Sequence, residues 1–150
     1  MSAVAIRDAT PDDIDAMTAL LAHLFAQEAE FKPDPDRQRA GLRMILGDPA
    51  AGALLVAERD GAVIGMVGLL YSISTALGGR VAMLEDMVVE PTARGSQVGR
   101  ALLDAAIARA KSDGCRRITL LTDGDNAAAQ RFYARAGFQA SDMLPMRLML

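Results

Sequence analysis

Hydrophobic positions along the chain follow two patterns, one typical of helices and one typical of strands. A change from one pattern to the other marks the boundary between two secondary-structure elements. Apolar side chains recur at helical spacing from Ile14 to Phe25, after a capping Thr10 and a proline at position 11. Continuous apolar runs of strand length predict buried strands, and the Asp60-Gly61 pair between two of them indicates a hairpin. The pattern predicts six strands, Ala3–Arg7, Ala53–Glu58, Ala62–Tyr71, Val81–Val89, Arg117–Thr122 and Met146–Leu150. It predicts four helices, one opening at Thr10 and the others spanning Asp36–Leu46, Arg100–Ser112 and Asn126–Ala136.

The order of these elements, β-α-α-β-β-β-α-β-α-β, contains no repeat and no second hydrophobic unit. It predicts one α/β domain over residues 1–150. The strand Val81–Val89, the helix from Arg100 and the strand Arg117–Thr122 form a βαβ unit, whose two strands should be parallel. The hairpins before this unit are antiparallel. We therefore expect a mixed sheet that is covered by helices.

Composition narrows the classes of function. The 150 residues are 51% hydrophobic and carry a net charge of −3, which argues against the basic face of a nucleic-acid binder. A single cysteine, Cys115, excludes a disulfide within the chain, and His23 stands without the partners of a metal site.

The longest uncharged apolar run, Ala62–Tyr71, is too short to cross a bilayer as a helix. The N-terminus lacks the pattern of a signal peptide. We expect a soluble cytoplasmic protein with no metal, membrane or nucleic-acid partner.

The segment from Val89 to Leu103 carries the strongest chemical signal. A buried strand runs into a loop that contains Gly95 and Gly99 and then opens a helix. The first amides of a helix lack internal acceptors and favour an anion, and glycines let a phosphate approach the backbone. Arg94 and Arg100 add positive charge. The loop is a candidate diphosphate site. It lacks the Gly-Lys-Ser/Thr ending of a kinase-type loop and the Gly-x-Gly-x-x-Gly spacing of a dehydrogenase.

Two segments resemble the GNAT superfamily of N-acetyltransferases. Arg94-Gly95-Ser96-Gln97-Val98-Gly99-Arg100 is similar to the family's acetyl-CoA pyrophosphate loop, Arg/Gln-x-x-Gly-x-Gly/Ala. Gln97 departs from it, because glycine is usual there, and a positive φ at Gln97 would cost strain. The run from Asn126 to Phe138 is similar to a second family pattern, Asn-x-x-Ala-x-x-Phe-Tyr-x-x-x-Gly-Phe. The two patterns follow each other in the family's order.

The resemblance implies a GNAT fold, with a mixed, largely antiparallel sheet of six or seven strands flanked by about four helices. It implies acetyl-CoA as cosubstrate, bound by residues 94–100 and by a βαβ core. The backbone of Met87, Val88 and Val89 would pair with the pantetheine arm, which Asn126 would also meet. Tyr133 would protonate the departing thiolate. A packed aromatic with a hydrogen-bonded hydroxyl is the other interpretation of Tyr133.

Adjacent acids inside an apolar strand need an explanation, because a buried carboxylate is costly unless it is hydrogen-bonded or functional. Strand alternation places Glu85 and Asp86 on opposite faces, so one of them should face a substrate cleft. The pair is similar to that of polyamine and glucosamine-6-phosphate N-acetyltransferases. The resemblance implies that Glu85 is the general base. A structural carboxylate remains the alternative, and Asp86 or a water could instead be the effective base.

The resulting hypothesis is acetyl transfer from acetyl-CoA to a primary amine of a small molecule such as a polyamine, amino acid, amino sugar or aminoglycoside. The acceptor should contact the segment Phe25–Arg39, whose acids favour a cationic amine, although solvated charge explains them equally well. These acids are Glu28, Glu30, Asp34 and Asp36. The alternatives are acetylation of a protein N-terminus or lysine, and a CoA-binding sensor without turnover. We also expect a homodimer, because strand edges and the Met-rich C-terminus need cover.

Overall fold

A five-stranded mixed sheet forms the centre of the computed structural model, which describes residues 3–27 and 32–150. Its strands lie in chain order: β1 (Ala5–Asp8), β2 (Gly52–Arg59), β3 (Ala62–Ser74), β4 (Gly79–Val89) and β5 (Ile118–Leu120). The helices are α1 (Ile14–Gln27), α2 (Pro35–Leu46), α3 (Val98–Ser112) and α4 (Ala127–Arg135), with 3-10 turns at Pro11–Asp13 and Pro91–Ala93. The first four strands are antiparallel, and β4 pairs with β5 in parallel. The predicted α/β class and the parallel βαβ unit are confirmed.

The two faces of the sheet are buried under different helices, as the alternation of strand side chains requires. On one face, Leu54 and Val56 of β2 pack with α1 and α2, around the fully buried Met17. On the other face, Leu55 and Ala57 pack with α3, around the fully buried Leu102. Because helices cover both faces of the sheet, the sequence of β2 is a nearly continuous run of apolar residues. The sheet is therefore the middle layer of three.

The strand predicted at Met146–Leu150 is wrong, and the sheet has five strands instead of six or seven. Residues 139–150 form neither helix nor strand. Apolar residues favour a strand only where a neighbouring strand and a packing surface receive them. Here Met146, Leu148 and Leu150 remain exposed, so the side chains that suggested a strand have nothing to pack against.

The remaining differences concern the ends of elements. α3 begins at Val98, two residues before the predicted start, while β5 keeps three of its six predicted residues. β3 and β4 extend beyond their apolar runs to Ser74 and from Gly79, because their antiparallel pairing continues to the connecting turn. Within the described part of the chain, no helix has both the length and the hydropathy to cross a membrane.

Candidate active site

The helix α3 begins without a side-chain cap. Its N-cap residue, Gln97, makes no side-chain hydrogen bond to the helix, and the amide of Ala101 donates to the Gln97 carbonyl at 3.1 Å. The amides of residues 98–100 therefore precede the first intrahelical bond. By contrast, α2 and α4 begin with caps in which Asp34 and Asn126 accept from backbone amides. An uncapped helix start with its positive dipole end is suited to an anion.

The loop before α3 contains Gln97, the residue at which the sequence departs from the GNAT pattern and at which a positive φ would cost strain. Gln97 has φ 65° and lies in the left-handed region, and Gly95 has φ 82°. The Ser96 hydroxyl donates to the carbonyl of Ala93 and closes the turn. The position usual for glycine in the GNAT pattern thus does require positive φ, and this chain holds it with a glutamine.

A cavity of about 370 Å³ lies against this loop. Of the predicted loop residues, Arg94, Gly95, Gln97, Gly99 and Arg100 line it, together with Val89, Ala93, Phe132 and Arg135. The Arg100 Nε donates to the Asp104 carboxylate at 2.9 Å, which partly neutralises this arginine. Arg135 was not predicted. It follows Phe132 by three residues in α4, and side chains at that spacing share a helix face.

A larger cavity opens where β4 and β5 separate. Their pairing ends at Leu84 and Leu120, whereas β3 stays paired with β4 as far as Val89. The β5 side of residues 87–89 therefore borders a cavity of about 1020 Å³ instead of a strand. Met87, Val88 and Val89 line it, as do Leu120 and Leu121 across the opening. An extended ligand could add to β4 here through backbone hydrogen bonds.

The two cavities share part of their lining. Val89, Arg94, Gly99 and Phe132 border both of them. A Cβ built on Gly99 would lie 3.6 Å from the Phe132 ring and 3.7 Å from Val89. The absence of a side chain at this position therefore keeps open the space between the anion site and the strand opening. A phosphate-bearing ligand with a long arm fits this arrangement.

A β-bulge lies in β4 next to its two acids, both of which line the larger cavity. Gly68 lies opposite Glu85 and Met66 lies opposite Val88, so Val67 alone faces the two residues Asp86 and Met87. Asp86 takes φ 56° in the bulge. The extra residue interrupts the alternation of side chains between Asp86 and Met87. Gly68 and Val67 are neighbours on β3 and lie on opposite faces, so the register agrees with the opposite faces expected for Glu85 and Asp86. Both line the cavity, with Glu85 exposed and Asp86 half-buried.

Tyr133 lines the same cavity as Glu85. Its ring is held edge-on by Phe132 at 5.1 Å and by Phe138 at 5.8 Å between centroids. Burial raises the pKa of the Tyr133 hydroxyl above its ordinary value, so the group is protonated at neutral pH. A positioned, protonated phenol can give up a proton, while a carboxylate on the wall of the same cavity can accept one.

The three remaining residues of the predicted cosubstrate site differ in how they relate to the cavities. Asn126 lines the larger cavity and caps α4, with its Oδ1 accepting from the Ala129 amide at 3.1 Å. The side chain of Val98 is buried in the core, so its backbone alone is available to a ligand. Ser96 lines neither cavity.

Of the expected acceptor segment, Phe25 lines the larger cavity, as does Leu24 just before it. Asp34 caps α2, and Asp36 is exposed outside both cavities. Glu28 and Glu30 lie outside the described residues. Sequence reasoning missed Asp123 and Arg147, which bring one charge of each sign to the cavity wall. Their place there depends on tertiary structure that no local pattern reports.

Comparison with known proteins agrees with this geometry. The model of the acetyltransferase (GNAT) family matches residues 15–138. An aminoalkylphosphonate N-acetyltransferase of Salmonella typhimurium is 31% identical over 136 residues, covering 91% of this chain and 85% of that protein. An aminoglycoside N(6')-acetyltransferase of Stenotrophomonas maltophilia is 31% identical over 144 residues, covering 94% of this chain and 90% of that protein. The crystal structure of a transcriptional regulator from Bacillus halodurans superposes with a TM-score of 0.83 at 33% identity, covering 97% and 100% of the two chains.

Proposed function

Because the chain belongs to the acetyltransferase (GNAT) family, we propose that it transfers an acetyl group from acetyl-CoA directly to a primary amine of a small molecule. As a member of that family it is an acyltransferase, and acetyl-CoA is its cosubstrate. One observation carries the proposal for this chain. Glu85 and Tyr133 line a single cavity, and that cavity shares Gly99 and Arg94 with the anion site at the start of α3.

The residues that would hold the cosubstrate lie along this path. The uncapped amides of residues 98–100, with Arg94 and Arg135, would bind its phosphates. The backbone of residues 87–89 would pair with its extended arm on the side of β4 that β5 leaves free. Bound acetyl-CoA supplies an activated thioester, and a backbone N–H at this edge would stabilise charge that develops on the carbonyl oxygen. Holding both substrates in one cavity supplies proximity.

Glu85 would act on the acceptor. Its carboxylate lies on the cavity wall and is open to solvent, so an amine or an intervening water can reach it. The acceptor amine must be neutral to attack, and Glu85, directly or through a water, would take the proton of its ammonium form before the nitrogen–carbon bond forms. Asp86 lines the same cavity and is the second candidate for this role.

Tyr133 would act on the leaving group. Its phenol is kept neutral by burial and held in place by two aromatic rings. As the carbon–sulfur bond breaks, the hydroxyl would pass its proton to the sulfur, so that CoA leaves as a thiol. The ammonium nitrogen loses two protons in becoming an amide: Glu85 would take one and release it to solvent, and the second would restore the Tyr133 phenol after its proton has passed to the sulfur.

The cavity wall favours a cationic acceptor. Glu85, Asp86 and Asp123 line it, against two arginines, Arg147 and, where the cavity meets the smaller one, Arg94. Three carboxylates attract an amine that is protonated in solution, and a guanidinium can hold an acidic or phosphonate group on the same molecule. Similar proteins named for aminoalkylphosphonate and aminoglycoside acetylation fall within this class of acceptor.

The test is CoA release from acetyl-CoA across a panel of amines. The panel holds 2-aminoethylphosphonate, an aminoglycoside, spermidine, glucosamine 6-phosphate, free amino acids, and peptides with a free N-terminus or lysine. We expect turnover with at least one small amine and none with the peptides. Turnover with peptides alone would point to protein acetylation. Binding of CoA without any turnover would instead support a sensor.

We also propose that the enzyme is a homodimer and acts in the cytoplasm. Two features support the dimer: no strand among residues 3–27 and 32–150 pairs with the outer edge of β5, and the apolar C-terminal residues are exposed. A chain with one cysteine, Cys115, needs no oxidising compartment. Light scattering should give twice the 15.9 kDa mass of one chain, and cell fractionation should recover the protein with soluble cytoplasmic markers.

A further inference from the structure

The larger cavity carries charges of both signs. Its carboxylates among the described residues are Glu85, Asp86 and Asp123, and its guanidinium groups are Arg94 and Arg147. Carboxylates attract an ammonium group, and a guanidinium binds a carboxylate or phosphonate through paired hydrogen bonds. A ligand that carries only an amine matches one of these two kinds of group. A ligand that carries an anionic group as well matches both.

The two arginines belong to different parts of the cavity. Arg94 also borders the smaller cavity, beside the uncapped amides of residues 98–100, which the proposed function assigns to the cosubstrate phosphates. Those phosphates would neutralise Arg94 as they bind. Arg147 borders the larger cavity and not the smaller one. Of the arginines among residues 3–27 and 32–150 that line the larger cavity, Arg147 is thus the one that remains for the acceptor.

Arg147 lies in an otherwise apolar segment. Residues 143–150 contain no other charged side chain, and Met146 and Leu148 on either side of Arg147 are 95% and 83% exposed. Pro145 and Arg147 line the cavity, and Arg147 is itself exposed. The segment therefore presents its single charged side chain at the cavity wall, where a ligand can reach the guanidinium.

Part of the cavity wall is apolar. Leu24 and Phe25, in the last turn of α1, line the cavity, as does Pro145. Polar groups that lose water against apolar side chains cost free energy unless they find new partners. The hydroxyl groups of an aminoglycoside would meet this cost, and the second ammonium group of a polyamine would meet the positive charge of Arg147. A short apolar chain between an amine and an anion avoids both.

We propose that the acceptor carries an anionic group besides its amine, and that Arg147 binds this anion and thereby determines which amines are acetylated. The acceptor is a small amine with a carboxylate or a phosphonate, and not a polyamine or an aminoglycoside. This inference rests on the proposed function and narrows its acceptor. Binding at both ends orients the molecule, because the amine would lie toward Glu85 and Asp86 while Arg147 holds the anion.

The first experiment compares each anionic amine with a derivative that has lost the anion. β-Alanine is paired with β-alaninamide, and 2-aminoethylphosphonate is paired with the phosphine oxide in which two methyl groups replace its acidic oxygens. The constant kcat/KM is expressed per neutral amine, because the pKa of the amine differs within a pair. We expect the wild type to prefer the anionic member of at least one pair, which identifies the anion, and to prefer it over 1,4-diaminobutane. Equal rates within both pairs would overturn the proposal.

The second experiment changes Arg147. Arg147→Gln should lower kcat/KM for the preferred anionic amine by about tenfold to a hundredfold and leave its uncharged counterpart nearly unchanged, because only the anionic amine loses a charge-assisted bond. Arg147→Lys should restore part of the loss, since lysine keeps the charge without the paired donors. The control Arg117→Gln removes an exposed arginine that lines neither cavity, and it should match the wild type. Equal losses for both members of the pair would overturn the role of Arg147.

Calorimetry separates this inference from the proposed function, because it measures binding of each amine to the CoA-bound protein without any reaction. If no amine is acetylated, the proposed function is overturned, while tighter binding of the anionic amine that is lost in Arg147→Gln would still support the anion site. If amines are acetylated but Arg147→Gln changes neither binding nor kcat/KM, the anion site is overturned and the acetyltransferase activity stands. The affinity of Arg147→Gln for acetyl-CoA should equal that of the wild type, since Arg147 does not border the smaller cavity.

Discussion

Two residues other than glycine adopt left-handed backbone conformations at the site. Gln97 does so at the start of α3, and Asp86 does so in the bulge of β4. Such conformations cost a residue with a Cβ about 1–2 kcal/mol and persist only where the surrounding structure imposes them. Each one lies at the edge of a cavity: Gln97 precedes the uncapped amides of α3 and lines the smaller cavity, and Asp86 lies in the bulge of β4 and lines the larger one.

Replacing Gln97 with glycine should stabilise the protein. Glycine adopts φ 65° without steric cost, and the Gln97 side chain makes no cap hydrogen bond that would be lost. The gain is offset in part by the greater freedom of glycine in the unfolded chain, so we expect a net increase of roughly 0.5 to 1 kcal/mol in the free energy of unfolding. Urea titration measures it. Gln97→Ala is the control, since alanine keeps the Cβ, and equal stability of the two variants would show that strain at this position is negligible.

The two candidate catalytic residues should respond to pH in different ways. Glu85→Gln should lower kcat by roughly a hundredfold at neutral pH and leave the affinity for acetyl-CoA unchanged, because the base acts on the acceptor. The loss should shrink as pH rises, since more of the amine is then already neutral. Tyr133→Phe should lower kcat to a similar extent without rescue by alkali, because its proton goes to the sulfur. Asp86→Asn tests the neighbouring acid: if it lowers kcat and Glu85→Gln does not, Asp86 is the base.

At the scale of elements, the strand β4 has two functions along its length. Its first half is paired on both sides, with β3 and β5, and its second half is paired with β3 alone. The bulge at Asp86 lies where the two halves meet, and the extra residue adds twist to the strand. The opening between β4 and β5 therefore begins next to this bulge. A ligand can use the free side of residues 87–89 while the core on the β3 side stays intact.

A larger side chain at the start of α3 should prevent binding of the cosubstrate without changing the fold. Gly99→Val places a branched side chain where the two cavities meet, and its Cβ would lie at ordinary contact distance from Phe132 and Val89. We expect CoA to raise the melting temperature of the wild type, less so at high salt, and to have no effect on the variant. Ala101→Val, two residues further along the same helix, is the control for valine in α3. Normal CoA binding by Gly99→Val would place the phosphate site elsewhere.

The elements show which features a sequence can predict here. Local signals located all five strands and four helices, because capping residues, hairpin turns and apolar spacing act over a few residues. The GNAT patterns predicted the candidate anion site and Tyr133 for the same reason, and these residues line the two cavities. The bulge at Asp86 left no local signal, since it depends on the register of β4 against β3. Arg147 and the unformed last strand likewise depend on what the chain meets in space, and a pattern of apolar residues cannot report whether a partner strand is present.

At the scale of the whole molecule, ion pairs join β1 to its surroundings. Arg7 of β1 donates to Asp13 at 2.8 and 3.0 Å and to Glu58 of β2 at 3.1 Å. The Asp113 carboxylate accepts from the Tyr71 hydroxyl and from Arg109, which also pairs with Asp8. Hydrogen bonds from Tyr71 lower the pKa of Asp113, with Arg109 contributing. These clusters fix the turn before α1 and the end of α3 to the sheet, and their residues line neither cavity.

Asp13 makes the free energy of unfolding depend on pH in the acidic range. Its carboxylate is nearly buried and accepts from Arg7 and from the Thr10 amide, and the hydrogen bonds from Arg7 hold its pKa below the ordinary value of 3.8. A carboxyl with a lowered folded-state pKa contributes stability above its unfolded pKa and loses that contribution as pH falls through the folded value. Asp13→Asn should therefore cost about 2 kcal/mol of unfolding free energy at pH 7, and the difference from wild type should narrow below about pH 4. Urea titrations at several pH values measure the difference, with the exposed Asp12→Asn as the control that should change stability little. A difference that stays constant with pH would mean that Asp13 stabilises the turn through its shape and its bond to Thr10, and that its charge contributes nothing.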